Sequence, residues 1–202
     1  MFRKILLVLM IGSFMVGTAF AGIDEVKEAS RSGDKALVIT LANEIIADPN
    51  ASMGDKAEAQ LHIGYSLTNH TEAIAAFQKV RKDYPYKKIQ NSKALFWIGE
   101  CYRNLHKDSE AQAAYIELLT AYPKNYPLVS IALDRIDYTL MSSEEIVRLS
   151  LSIWKANMPA TLSNSGMISK VQNLIAQYLP GITKDNLNIT NVEEAINAKW
   201  GE

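Results

Sequence analysis

The sequence has little of what braces or arms a small domain. One cysteine, Cys101, stands among 202 residues. No internal disulfide can form, so the fold depends on packing alone. Cys101 lies inside a helical pattern and has no activating neighbour in sequence, which makes it a buried structural thiol rather than a nucleophile. Six prolines and ten glycines leave most of the chain free to be helical. Charge of one sign is also missing. With 21 basic and 22 acidic residues, no broad field draws the chain to nucleic acid or to an anionic membrane. The three histidines, His62, His70 and His106, do not pair with each other or with Cys101 at metal-ligand spacing. No Gly-rich phosphate loop, nucleophile elbow or zinc motif is present. The acid pairs Glu144-Glu145 and Glu193-Glu194 fall in first helical turns, where they complement the helix dipole. No catalytic residue, cofactor site or metal site is therefore expected, and the chain reads as a non-enzyme.

What is present begins with an apolar run. Arg3 and Lys4 precede Ile5 to Phe20, and Ala19-Phe20-Ala21 places small residues where a signal peptidase reads them. This predicts a cleaved secretory signal over residues 1–21, with scission between Ala21 and Gly22. The competing reading is a retained anchor, for which the run is short. No cysteine follows it to carry a lipid. The expectation is an exported protein, periplasmic or secreted, with no stable membrane anchor.

The mature chain is periodic. Pro49, Pro85, Pro123 and Pro159 recur at intervals of 36, 38 and 36 residues. Each follows a stretch with apolar residues at helical spacing, and a proline there cannot continue the helix. The best-formed copy runs from Ser92 to Pro123. Leu95, Ile98, Gly99, Tyr102 and Leu105 share one face of its first helix, and Ala111, Ala114, Tyr115 and Leu118 one face of its second. Ala73, Phe77 and Pro85 match Ala111, Tyr115 and Pro123 at constant offset; Ile131 and Tyr138 match Leu95 and Tyr102. Asp34 is placed to cap the second helix of the chain, a further helix begins at Asp55, and Ser142 with Glu145 has capping-box spacing. The expected organisation is four helix pairs over 22–49, 55–85, 89–123 and 127–159. Residues 160–202 then form a helical cap and tail. Met167, Ile168, Val171, Leu174, Ile175 and Tyr178 form an amphipathic helix that covers the last repeat, and Asn191 caps a short final helix. The tail either docks or forms a separate binding arm. Docking is favoured, because Trp200 left in water is a liability.

Leu95, Ile98, Gly99, Tyr102, Ala111, Tyr115 and Pro123 resemble the pattern of the tetratricopeptide-repeat family. The phrase ALFWIGECY with a later AYP looks most like repeats of bacterial envelope proteins, including cell-division coordinators of the Tol-Pal type and barrel-assembly lipoproteins. Asp134 and Arg135 depart from the pattern by occupying the leucine-glycine places of the last repeat. The resemblance implies an all-α, right-handed solenoid of about four helix pairs with a C-terminal capping helix. It also implies an extended partner segment bound on the concave wall of first helices. On that wall the spacing places Leu61, Tyr65, Thr68 and Asn69 from one repeat, and Lys93, Phe96, Glu100 and Arg103 from the next. Phe96 and Tyr65 either line this groove or pack between repeats. Lys79, Arg81, Lys82, Lys87, Lys88 and Lys93 form a local basic cluster, read either as a contact for an acidic partner or as solvated helix ends. The leading functional expectation is a scaffold or adaptor for a protein partner in the bacterial periplasm or cell envelope, with no role for nucleic acid. The alternatives are a binder of peptidoglycan or another anionic envelope polymer, and an accessory subunit of an envelope enzyme.

Overall fold

The computed structural model describes residues 22–159 and 164–201. The expected signal at residues 1–21, including Ala21 of the cleavage pair, lies outside the described residues. Gly22 is the N-cap of the first helix. Among the described residues the regular structure is ten α-helices and one 3-10 turn, with no strand. They are α1 (Ile23–Ser32), α2 (Lys35–Ala47), α3 (Met53–Ser66), α4 (His70–Asp83), α5 (Lys88–Asn104), α6 (Asp108–Ala121), α7 (Tyr126–Leu133), α8 (Ser143–Ala156), α9 (Ser165–Tyr178) and α10 (Ile189–Trp200). The fold is an α-solenoid of helix hairpins.

Local chemistry sets the hairpins. Asp34 accepts from the Leu37 amide, Ser52 from Asp55, and Asn69 from Thr71 and Glu72, so α2, α3 and α4 each start on a side-chain cap. Ser142 and Glu145 form the full capping box of α8. At the other end, Tyr84 and Tyr122 leave their helices with nearly identical backbones, φ −128°, ψ 53° and φ −132°, ψ 49°. Each precedes a proline, whose ring excludes the helical conformation from the residue before it. His106, at φ 56°, makes the tight turn between α5 and α6.

Within a hairpin, glycine permits close approach. A Cβ on Gly64 would lie 2.4 Å from the Phe77 ring, and one on Gly99 would lie 2.5 Å from the Tyr115 ring. Phe77 and Tyr115 are buried, each at one constant place in its repeat. Three apolar clusters then run along the array. The first joins α1, α2 and α3, the second α3 to α6, and the third α5 to α10. Each hairpin is thus completed by its neighbour.

The structure corrects three sequence expectations. The third helix begins at Met53, not Asp55, because the hydroxyl of the N-cap Ser52 takes the Asp55 amide. Asn188, not Asn191, caps the last helix; Asn191 instead supplies the amide that Asn188 receives. The first helix of the last repeat is short. α7 has eight residues, Ile131 is exposed, and Tyr138 sits in the 3-10 turn Tyr138–Leu140. Val129, Ala132 and Leu133 face the core there in place of Ile131. The helix stops where Asp134 and Arg135 follow, and these two charges stay exposed, paired with Lys170 and Glu100.

Beyond α8 the chain keeps packing. α9 lies on α8 and buries Met167, Ile168, Val171 and Ile175. α10 also rests on α8, with Val192 and Ile196 buried and Trp200 packed against the same cluster. The tail therefore docks.

Candidate partner-binding wall

Successive first helices touch one another: α1 on α3, α3 on α5, α5 on α7, and α7 on α9. They form one wall of the array. The residues expected to line it divide into several roles. Leu61 is fully buried and belongs to the core. Phe96 is only 7 % exposed and packs with its ring centroid 6.2 Å from Tyr115 and 5.7 Å from Trp97. Both are corrections to the groove expectation. Phe96 belongs to the apolar cluster that Val129, Ala132 and Leu133 of α7 also enter, so it takes the alternative role of packing between repeats. Asn69 is spent as the N-cap of α4, and Thr68 stays exposed.

The charged members are engaged with one another. Lys93 Nζ donates to Glu58 Oε1 across the α3–α5 seam at 2.9 Å. Glu100 accepts from the Tyr115 hydroxyl at 2.5 Å, from Arg103 at 2.6 Å and from Arg135 at 3.1 Å. Burial alone would raise the Glu100 carboxyl. The bonds from Tyr115 and Arg135 and the two guanidinium charges reverse this and hold it below the usual carboxylate range. Glu58 behaves alike: burial raises it, and Lys93 and Gln90 bring it down. Burial pushes the half-buried His62 down, although the Glu58 charge opposes this. Burial also raises the Tyr65 hydroxyl, with Glu58 adding to the effect. His62 and Tyr65 are therefore neutral members of the wall at physiological pH.

Tyr65 is where the expected residues meet an unexpected one. Its ring stands 5.4 Å from Trp97, 5.4 Å from Phe77 and 5.6 Å from His62. Trp97 is 41 % exposed and held by edge contacts from Tyr65 on one side and Phe96 on the other. Between α3, α4 and α5 they open a crevice of about 220 Å³, lined also by Phe77, Glu100 and Asn104. Trp97 was absent from the sequence-derived groove, yet a signal existed. It lies four residues after Lys93 and three before Glu100, on the same helical stripe. Phe96 lies one position, about 100° of helix, toward the core.

The Cys101 thiol is buried and pushed up by that burial and by Glu100, which disfavours the reactive thiolate. Among the described residues no His, Cys, Asp or Glu group could hold a metal ion, and no helix is long and apolar enough to cross a membrane.

Helix hairpins locked by glycine–aromatic contacts and faced by a wall of first helices define a repeat scaffold. The tetratricopeptide-repeat family model matches residues 57–85 and 93–125, which cover the α3–α4 and α5–α6 hairpins. The chain carries tetratricopeptide repeats at these positions, and repeats of this kind generally mediate protein–protein interaction. No curated protein and no solved structure matches the chain.

Proposed function

We propose that the protein is a non-catalytic adaptor that binds an extended segment of a protein partner along its wall of first helices. Trp97 and Tyr65 form the anchor. The observation that carries this is Trp97: a large aromatic left 41 % exposed beside a crevice, in a wall where Lys93, Glu100 and Arg103 are already paired. Aromatic residues seated in such crevices dominate binding energy at protein interfaces. The basic N-terminal pair, apolar run and small-residue cleavage pattern support an exported location, in a bacterial periplasm or envelope.

A photo-crosslinking amino acid placed at the exposed Thr68 or Asn104 tests the wall. The expected result is a discrete protein adduct in cells that disappears in Trp97→Ala and persists in a distant surface variant. An undiminished adduct in folded Trp97→Ala removes the anchor. N-terminal sequencing of the purified protein tests export: a start at Gly22 supports it, and a start at Met1 overturns it.

A further inference from the structure

The basic run from Lys79 to Lys93 is a cluster only in sequence. In the fold Lys79 pairs with Asp83, Arg81 with Glu117, and Lys93 with Glu58. Lys82, Lys87 and Lys88 have no ion pair among the described residues, and of these Lys88, exposed, borders a groove. Lys124, from the turn after α6 and outside the original run, joins it in the same condition. These two lysines border one groove of about 560 Å³, walled by Ile89, Ala121, Tyr122 and Pro123. Ile89 is 63 % exposed. Two polar side chains of the lining are engaged with each other: Asn125 donates to the Ser92 hydroxyl at 2.6 Å, and that hydroxyl donates to the Ile89 carbonyl at 2.8 Å. An incoming ligand thus meets apolar surface and two uncompensated ammonium groups.

We infer that this groove is a second docking site, for an acidic protein segment that places an apolar side chain between carboxylates. Charge complementarity to Lys88 and Lys124 selects the acidic residues. The Ile89–Tyr122–Pro123 surface selects the apolar one, and a sugar polymer has no side chain to fill it. The groove opens at the start of α5. Lys88 is about 13 Å along the helix from Trp97 at 1.5 Å per residue, and the groove shares no lining residue with the Trp97 crevice. The two sites can therefore fail independently.

The test selects a displayed library of random dodecapeptides on the mature chain and removes those that also bind K88E/K124E. The expected survivors carry two or more Asp or Glu residues around a Leu, Ile or aromatic residue. A fluorescein-labelled survivor should lose at least tenfold in affinity on K88E/K124E. It should lose a similar amount on Ile89→Ser and a smaller amount on K88Q/K124Q. It should weaken with added salt and be unaffected by Trp97→Ala. Thermal melts confirm that each variant is folded. An empty selection, survivors without acidic enrichment, or full affinity of a survivor for folded K88Q/K124Q and Ile89→Ser overturns the inference. So does heparin that competes as well as the unlabelled peptide while Ile89→Ser changes nothing, which makes the surface a binder of anionic polymer.

Discussion

Gly99→Ala separates local helix preference from tertiary packing, because the two predict opposite signs. Inside a helix, alanine is favoured over glycine by about 0.8–1.0 kcal/mol. The added Cβ, however, would lie 2.5, 2.8 and 2.9 Å from three ring atoms of Tyr115. Carbon atoms pack at about 3.5–4.0 Å, so the ring must retreat by about 1 Å. It has nowhere easy to go. Tyr115 is 1 % exposed, its hydroxyl is held by Glu100 one residue from Gly99, and its ring faces Phe96. Overpacking of this kind costs about 1–3 kcal/mol, and three simultaneous close contacts place this site at the upper end. The net expectation is a loss of about 1–2 kcal/mol after the helix gain is subtracted. At about 2–4 °C per kcal/mol for a chain of this size, Tm falls by about 2–8 °C. Gly64→Ala should behave alike, since its Cβ would meet Phe77 at 2.4 Å. Gly166→Ala, in the first turn of α9 with nothing within 4 Å, should be neutral or stabilising by up to about 1 kcal/mol. Thermal and urea unfolding followed by circular dichroism read all three, and Tyr115→Leu should relieve part of the Gly99→Ala defect. Equal effects of Gly99→Ala and Gly166→Ala would refute the close-approach account of the hairpin.

Two further substitutions probe the wall and its frame. Glu100→Gln should cost about 1.5–3 kcal/mol at neutral pH, the range for hydrogen bonds to a charged group, because Tyr115, Arg103 and Arg135 all converge on that carboxylate. Its folded pKa lies below the ordinary value, so the unfolded state takes the proton first as pH falls. The stabilisation is present above the usual carboxylate range and is lost as pH drops through the folded pKa. Urea midpoints of wild type and Glu100→Gln should converge in acid, and a constant gap from pH 7 to pH 3 would contradict this. Ser142→Ala removes half of the capping box and should cost about 0.5–2 kcal/mol. Hydrogen exchange should quicken first in the opening turn of α8, and unchanged protection there would show that the box is idle.

The sequence reading of the α3–α4 and α5–α6 hairpins stands because their signal is local and redundant. Gly99 with Tyr115, and Gly64 with Phe77, are small–aromatic pairs whose spacing within one hairpin fixes both helices. At α7 the period alone misleads: Ile131 and Tyr138 fit it, yet the helix ends at Leu133, just before the departing pair Asp134 and Arg135, and Ile131 is exposed. The site was harder still. A helical stripe identifies neighbours along one helix, but which stripe faces out depends on the helices to either side. Phe96 joins a cluster with residues of α7, and Trp97 stays partly exposed with Tyr65 from α3 against its ring. Choosing between positions 96 and 97 needs those contacts. Likewise nothing in the run around Lys93 says that its partner is Glu58, a full repeat away.

That distance recurs. Lys93 to Glu58 spans 35 residues, Arg135 to Glu100 spans 35, and Lys170 to Asp134 spans 36. Each pair joins adjacent elements of the wall, from α3 to α5, from α5 to the end of α7, and from there to α9. Side chains that looked available for a partner are therefore tied across the seams between repeats. A ligand that recruited them would have to break existing pairs, and the exchange of one ion pair for another brings little net gain. Around Trp97 the wall holds unspent aromatic surface and the crevice beside it. Binding there should draw on burial of that surface and depend weakly on salt, because screening acts on charges and leaves apolar burial largely untouched. The groove at Lys88 and Lys124 has the reverse character, with free cations and no acidic partner among the described residues. A salt titration of any captured partner thus distinguishes the two surfaces before a single residue is changed.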